Sequence, residues 1–575
     1  MKLLRRKGII VVLLLAFMLA ATVLYAEGGK EEAASTGDGG PQYGGTLTFF
    51  SRGTAEPANP DEDDSNWISI FWLMPMQETL MQGGVEEYGI RGGGTYPFQS
   101  SGYLPYQYIV GRLIESWTIN DKSLDLKVRE GINWAADNVD WMDNRELVAA
   151  DIADDMNAFM DAPWGNRFDG LVKSVEETGK YTLRVNYEKE FSLEAFYYFG
   201  WEDRSLIAPP EMRAQDDSLW INQVGTGPFL FEEYVPGSHM SYTRNPNYWD
   251  STMIDGVEYE MPFIDRYMQP IIPDEATQIA ALRTGRIDLH QFVPPAYWDS
   301  LDQSTPDLQK AKYSNAEMLL TFLLSESGNP QWKDPNVRRA MMIGTDIKSH
   351  QRLMFSQDLP SHSYPIHYQN PGYLPLEELP ADLQELYDYN PEKAKKMLAD
   401  AGYPDGFEMD LYVDSSLPHQ DNAALLQDEW SKIGVKVNIV VHDPVSHTDF
   451  TYKSNFVDAC FHGEEITNPI NACYRFSHTN GYNNFGKYHN PEYDAVVEQL
   501  QATLDSEEQI PLMHQATIIA LTDLPHIPLY PTINGHYWWP WIGNYYGEVT
   551  TTDGGISSIA HYCYLDKDLK KSMGY

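Results

Sequence analysis

Basic residues and cysteines are both scarce in this chain of 575 residues. Lys and Arg total 41 against 83 Asp and Glu, so the formal net charge at pH 7 is −42. Such an acidic surface repels phosphate backbones, and we expect no nucleic-acid partner. Three cysteines are too few for a fold held together by disulfides. Cys460 and Cys473 are either one disulfide of an oxidising compartment or two buried thiols.

Long hydrophobic runs are absent after the first 26 residues. The run from Gly8 to Ala26 follows a basic start at residues 2–7 and precedes a polar boundary. This order is typical of a secretory signal peptide over residues 1–26, and an uncleaved N-terminal membrane anchor is the alternative. Residues 27–41 are small and polar and predict a flexible tether. We therefore expect the mature chain to be exported to the periplasm.

Motifs of nucleotide hydrolysis and of common hydrolases are also absent. The chain has no Walker A sequence, no G-x-S-x-G elbow and no H-E-x-x-H helix. Gly225-Thr-Gly-Pro lacks the third glycine of a dinucleotide-binding fingerprint. His442 and His447 are close in sequence, but Pro444 lies between them, and we predict a solvated loop instead of a metal site. No metal or cofactor is predicted.

Strand and helix patterns are mixed along the chain, which predicts an α/β protein. We predict strands over residues 45–50, 124–129, 181–187, 407–413 and 435–441, and helices over 149–161, 274–284, 390–402 and 422–433. The clearest helix ends are those with Asn390 as N-cap, Pro391 in the first turn and Gly402 after the last. The strand–helix–strand order over 407–441 indicates a parallel βαβ unit.

A series of short blocks runs in order through the chain. They include Tyr43–Thr48 (YGGTLT), Gln77–Leu80 (QETL), Leu113–Trp117 (LIESW), Asp143–Ile152, Gly225–Phe229 (GTGPF), Arg244–Trp249 (RNPNYW), Leu282–Asp288, Asp334–Ala340 and Asn490–Asp494. Together they resemble the peptide/oligopeptide-binding family of extracellular solute-binding proteins, the receptors of ABC importers, over about residues 43–545. We expect most of these positions to serve the scaffold, because fold and binding site are separable.

The resemblance implies a hinged two-lobe α/β fold like that of periplasmic binding proteins, with an extra α/β domain inserted near the N-terminus. The expected boundaries are 42–84, 201–305 and 525–575 for lobe I, 85–200 for the inserted domain, and 306–524 for lobe II. In such receptors the lobes close on a small-molecule solute, and the closed form docks on ABC permease subunits in the inner membrane. A monomer that is not an enzyme is expected.

Peptide-binding members of this family often carry an Asp, in a run like A-D-Y-x-x-P, that pairs with the α-amino group of the peptide. The stretch from Gly463 to Pro469 resembles that run, with Glu465 four residues before the proline and Ile466 in place of the Tyr. A carboxylate is retained, one methylene longer. The resemblance thus implies Glu465 and Asn468 as ligand contacts.

Aromatic residues are abundant: 15 Trp, 37 Tyr and 22 Phe make up 13% of the chain. Trp67, Trp72 and Trp539 are candidate platforms for stacking sugar rings, and core packing is the alternative interpretation. The predicted function is an exported receptor that captures a peptide or a similar oligomeric solute. The alternatives are the same role for an oligosaccharide and, in a different class, a periplasmic hydrolase with two carboxylates at a fixed separation.

Overall fold

Strands and helices alternate along the chain in the computed structural model of the protein. The structure describes residues 40–50, 57, 60, 67–99, 104–201, 205–355, 359, 364–368, 370, 372–465, 468–549, 551–552 and 555–575. The predicted signal peptide, and the predicted tether up to residue 39, lie outside these ranges. No helix in the described part is long and apolar enough to cross a membrane.

The strands and helices have the following bounds. The strands are β1 (Thr46–Phe50), β2 (Met81–Gly83), β3 (Ile109–Gly111), β4 (Ile114–Asn120), β5 (Ser123–Val128), β6 (Val172–Gly179), β7 (Thr182–Tyr187), β8 (Phe229–Val235), β9 (His239–Arg244), β10 (Ser251–Ile254), β11 (Val257–Glu260), β12 (Arg266–Pro270), β13 (Leu289–Val293), β14 (Gln309–Phe322), β15 (Phe407–Asp414), β16 (Val435–His442), β17 (Ala459–Glu465), β18 (His526–Trp538), β19 (Ile542–Gly543) and β20 (Tyr564–Leu565). The helices are α1 (Trp67–Leu73), α2 (Ala149–Asp161), α3 (Leu193–Gly200), α4 (Glu275–Arg283), α5 (Trp298–Ser304), α6 (Pro335–Ile343), α7 (Ile347–Phe355), α8 (Ala381–Gln384), α9 (Pro391–Asp400), α10 (Leu417–Lys432), α11 (Pro444–Tyr452), α12 (Pro469–Ser477), α13 (Pro491–Ala502), α14 (Ser506–Asp523) and α15 (Lys567–Ser572).

Local sequence chemistry predicted nine of these elements, and their ends can be compared with the structure. The Asn390 side chain accepts a hydrogen bond from the Lys393 backbone N–H at 3.0 Å, and Gly402 has a φ of +99° after α9. β15 and β16 pair in parallel, as the βαβ pattern indicated. The predicted start of α10 at residue 422 was wrong, because the helix begins at Leu417. Proline in the first turn, where no intrahelical N–H bond is needed, permits this earlier start.

The large sheet has ten strands in the order β16-β15-β17-β14-β18-β13-β1-β12-β9-β8. β14 and β18 have 14 and 13 residues, pair antiparallel and lie between the two groups of shorter strands. Each group is covered by its own hydrophobic core: one contains Phe322, Leu411 and Trp430, and the other contains Leu47 and Tyr267. Two long strands therefore cross between two α/β halves.

A separate four-stranded antiparallel sheet, β4-β5-β7-β6, has α2 packed against β6. Its residues, 114–187, fall within the segment predicted to be an inserted domain. Because residues 43–575 form one compact unit, the boundaries of the lobes and of the insertion stay predictions.

The carboxylate of Glu78 joins several blocks that carried the family resemblance. It is 1% exposed and accepts hydrogen bonds from Arg112 Nε at 2.6 Å and Tyr248 Oη at 2.8 Å. Thr226 Oγ1 at 2.7 Å and Trp249 Nε1 at 3.0 Å donate to its other oxygen. All four donors come from elsewhere in the chain, so these blocks fix the scaffold around one buried ion pair.

The glycines of the GTGPF block are needed because the backbone of residue 76 passes close to them. A Cβ atom on Gly225 would lie 2.0 Å from the Met76 carbonyl oxygen, and one on Gly227 would lie 2.5 Å from it. Both distances are far inside van der Waals contact. The block therefore brings Thr226 to Glu78.

The three cysteines, Cys460, Cys473 and Cys563, are buried free thiols. The sequence left open whether Cys460 and Cys473 form a disulfide or are two buried thiols. In the structure they are two buried thiols. Burial raises the pKa of Cys473 to about 12, so this thiol is neutral and unreactive at neutral pH.

Candidate functional site

One side of β14 is polar where the strand crosses the middle of the large sheet. β14 pairs without a register shift to β17, from Ala316 opposite Glu465 to Phe322 opposite Ala459. Side chains alternate along such a strand, so residues 318, 320 and 322 share one face and residues 317, 319 and 321 share the other. The first set lies in one hydrophobic core, and Leu319 of the second set lies in the other, between the polar residues Glu317 and Thr321. We call Glu317, Leu319 and Thr321 the polar face of β14.

Thr321 connects the polar face to both neighbouring strands. Its Oγ1 lies 2.6 Å from His462 Nε2 on β17 and 2.7 Å from His526 Nδ1 on β18. A hydroxyl can donate to one ring and accept from the other, so Thr321 Oγ1 can bond both ring nitrogens that face it. Burial lowers the pKa of His526 to about 3, and the nearby His462 acts in the same direction. His526 is therefore neutral at physiological pH.

The segment around Tyr364 lies against this polar cluster. The Tyr364 and His526 ring centroids are 5.2 Å apart, and the Tyr364 hydroxyl is hydrogen bonded to the Ser477 hydroxyl at the end of α12. His367 follows in the same segment, and burial lowers its pKa to about 4. A buried, hydrogen-bonding cluster of this kind suits a polar ligand held without covalent chemistry.

Glu317 is the acid of the polar face. Its side chain is fully buried, and neither carboxyl oxygen has a hydrogen-bond partner. Burial raises its pKa well above the ordinary value for glutamate. Sequence reasoning missed this residue, although an acid within the apolar run of residues 316–322 is an available signal.

Glu465 and Asn468, the two residues predicted from the family-like stretch, flank the start of α12. Glu465 ends β17 opposite Ala316, and its side chain is outside the described part of the structure. Asn468 is buried, and its Oδ1 accepts the backbone N–H groups of Ile470 and Asn471, both at 3.1 Å. Asn468 thus caps α12. As ligand contacts, both residues stay predictions.

The predicted tryptophan platforms are packed as interior residues where their side chains are described. Trp72 is 0% exposed within a hydrophobic core. Trp539 is 1% exposed, donates its indole N–H to the Leu282 carbonyl at 2.8 Å, and stacks on Trp541 with ring centroids 4.4 Å apart. This is the core-packing alternative given by the sequence. The Trp67 side chain is outside the described part, and the three ligand roles stay predictions.

The predicted solvated loop at His442 and His447 was wrong. Asp443 caps α11 by accepting the Ser446 backbone N–H at 3.0 Å, and the proline that suggested a loop begins this helix. His447 is buried on α11, with its Nε2 2.9 Å from the Phe461 carbonyl oxygen. In the described ranges, no three His, Cys, Asp or Glu residues are grouped so as to hold a metal ion.

A buried polar network joins α3 to α12, α13 and residue 482. Asn471 Nδ2 donates to Tyr198 Oη at 3.2 Å, and the Tyr198 hydroxyl lies 3.2 Å from that of Tyr482. The Glu194 carboxylate accepts hydrogen bonds from Tyr198 and from Gln501 on α13. The network therefore connects the predicted inserted domain with predicted lobe II.

A comparison with protein families matches residues 108–484 to the model described as "Bacterial extracellular solute-binding proteins, family 5 Middle". The chain is 26% identical to heme-binding protein A of Haemophilus influenzae over 460 residues, which are 72% of this chain and 78% of that protein. It is 22% identical to the dipeptide-binding protein of Escherichia coli over 516 residues, 84% of this chain and 88% of the relative.

Solved structures share the fold over nearly the whole chain. The periplasmic binding protein DppA of Helicobacter pylori, in complex with the peptide STSA, has a TM-score of 0.70 at 21% identity and covers 91% of this chain and 99% of its own. HbpA2 of Haemophilus parasuis has a TM-score of 0.69 at 20% identity and covers 91% and 100%. The predicted two-lobe α/β fold is confirmed.

Proposed function

Because the chain belongs to the bacterial extracellular solute-binding proteins of family 5, we propose that it is an exported receptor that captures a peptide between two lobes and delivers it to the permease of an ABC importer. The observation that carries the peptide assignment is the polar face of β14 beside the end of β17. There, the predicted amine-reading acid Glu465 lies in the same strand as His462. Residues 1–26 would direct export to the periplasm, where the receptor would work as a monomer.

The names of relatives support a peptide more than any other solute. The Escherichia coli relative is named a dipeptide-binding protein, and the Helicobacter pylori structure contains a peptide. The Haemophilus influenzae relative is named for heme, so heme belongs among the ligands to be tested.

The direct test is a binding screen on the mature chain, residues 27–575. We expect di- to pentapeptides to raise the melting temperature, since a ligand at 100 times its Kd stabilises the folded state by about 2.7 kcal/mol. Gluco- and manno-oligosaccharides, heme and Ni²⁺ are the other arms of the screen. Stabilisation by one of these and by no peptide would overturn the peptide assignment, and hydrolysis of bound peptide would favour the hydrolase.

Glu465→Gln tests the predicted amine contact. If Glu465 pairs with the peptide's ammonium group, the substitution should weaken binding by about 2–5 kcal/mol in calorimetry, because that charge stays buried without its partner. Acetylating the peptide's N-terminus should cost the wild type a similar amount and cost the variant little. Glu326→Gln, in an exposed turn, changes the net charge equally and should bind as the wild type does.

A peptide whose affinity ignores both the substitution and the acetylation would remove Glu465 from the site. If an oligosaccharide binds instead, the same substitution should cost only about 1 kcal/mol, the contribution of one hydrogen bond.

A further inference from the structure

Glu317 is a buried acid without the partners that buried acids ordinarily have. It is 0% exposed, and neither Oε1 nor Oε2 accepts a hydrogen bond. An ionised carboxylate in such a place is costly unless it is paired and hydrogen bonded. The protonated form is also unsatisfied, because its O–H would be a buried donor without an acceptor. The site is therefore incomplete in either charge state.

Among the residues that the structure describes, the groups around Glu317 supply no positive charge. On β17 the residue opposite is Glu464, and on β18 it is Pro531. Burial raises the pKa values of four nearby phenols, and the Glu317 charge raises them further: Tyr368, Tyr373, Tyr387 and Tyr530. Burial raises the pKa of Glu317. Within the described ranges, no Lys or Arg lies near enough to lower that pKa again.

The position of Glu317 connects it with the candidate site. It shares the polar face of β14 with Thr321, whose hydroxyl contacts His462 and His526. It also directly follows Ala316, the residue paired with Glu465. A ligand group that reaches this face would meet two carboxyl oxygens with free acceptor capacity.

We propose that Glu317 receives a cationic group of the solute, so that the receptor selects peptides carrying a lysine or arginine side chain. This inference rests on the proposed function as a peptide receptor. An ammonium or guanidinium group supplies both the missing donors and the missing positive charge, and a guanidinium can satisfy both oxygens at once. The α-amino group of the peptide is a different cation, assigned above to Glu465.

Binding of the cation has a proton balance that can be measured. Because burial raises the pKa of Glu317, the ligand-free protein carries this carboxyl group in its protonated form at every pH below that raised pKa. When the cationic side chain binds, the carboxyl gives one proton to solvent and becomes the carboxylate of the new ion pair. The affinity for a lysine peptide should therefore rise with pH up to the pKa of Glu317 and then level off.

The experiment compares tripeptides with one lysine among alanines, at each of the three positions, with their Nε-acetyl-lysine counterparts and with tri-alanine. Calorimetry in buffers of different ionisation enthalpy reports affinity and proton release together. For the wild type and for Glu326→Gln, the charge-matched control, we expect at least one lysine peptide to bind about 30-fold more tightly than its acetylated form. In Glu317→Gln this ratio should fall to near one, and the proton release should vanish.

The outcomes distinguish a failure of the role of Glu317 from a failure of the proposed peptide function. If tri-alanine binds the wild type but no lysine peptide is preferred, or if the preference persists in Glu317→Gln, the role of Glu317 is wrong and the peptide function stands. If no peptide binds any form, the proposed function fails and this inference fails with it. Should Glu317→Gln not fold, proton release by the wild type alone supports the inference when it occurs with lysine peptides and overturns it when it does not.

Discussion

At the scale of single residues, two buried glutamates show opposite arrangements. Glu78 accepts four hydrogen bonds, one of them from Arg112, whereas Glu317 accepts none. The blocks around Glu78 could be recognised in the sequence because they recur as a pattern. Their common partner, Glu78, could not be recognised in the sequence, because the donors lie up to 171 residues away from it along the chain. Glu317 belongs to no such block; its place in an apolar run is a weak signal, and its burial without partners singles it out in the structure.

Glu78→Gln tests whether the buried ion pair holds the scaffold together. Removing the charge leaves the Arg112 guanidinium buried without its counter-ion, so the free energy of unfolding should fall by about 3–5 kcal/mol in chemical denaturation. Glu115→Gln is the matched control, because its ion pair with Lys127 is exposed and its loss should leave stability nearly unchanged. Equal effects of the two substitutions would contradict a structural role for the Glu78 pair.

At the scale of helices and strands, the sequence predicted what local chemistry determines. Asn390, Pro391 and Gly402 marked the ends of α9, and alternation marked β5 and β7. The polar face of β14 was not predicted, because it depends on which strands become neighbours. Thr321 meets His462 and His526 across 141 and 205 residues, and no local pattern encodes such pairing.

Asn468→Ala separates the capping role of this residue from its predicted ligand contact. The α12 N-terminus should lose about 1 kcal/mol of stability, since two backbone N–H groups lose their acceptor. Asn468→Ser retains a capping oxygen and should retain most of the stability. Asn390→Ala removes a similar cap from α9, away from the family-like stretch, and serves as control.

Binding assays on the same variants complete that test. If Asn468 contacts the ligand, both Asn468 variants should lose peptide affinity while Asn390→Ala does not. If Asn468 only caps the helix, the serine variant should bind like the wild type, and Asn468 leaves the set of predicted contacts.

At the scale of the whole molecule, the resemblance implied two hinged lobes, and the ten-stranded sheet has two halves joined through the long strands β14 and β18. The network joining α3 to α12 and α13 was not predicted, since it depends on how the halves approach each other. Glu194 is buried and accepts hydrogen bonds from both Tyr198 and Gln501. Such a bond between distant segments stabilises the arrangement in which they touch, and we expect lobe opening to break it because α3 and α13 fall in different predicted domains.

Gln501→Ala should therefore favour a more open receptor and lower its affinity without altering the polar face of β14. A hydrogen bond to a charged group contributes about 1.5–3 kcal/mol, so the apparent Kd should rise about 10- to 150-fold at most. The rise reaches this maximum if the wild type without ligand is mostly open, because the bond is then lost only from the closed, ligand-bound form, and it is smaller if the ligand-free wild type is already partly closed. Small-angle scattering should show a larger radius of gyration for the ligand-free variant and compaction of both proteins when a peptide binds. Gln499→Ala, on the exposed side of the same helix, should match the wild type in both measurements. A wild-type radius that does not change at saturating, calorimetrically verified ligand would contradict closure, and with it the role of Glu194 and Gln501 in stabilising the closed form.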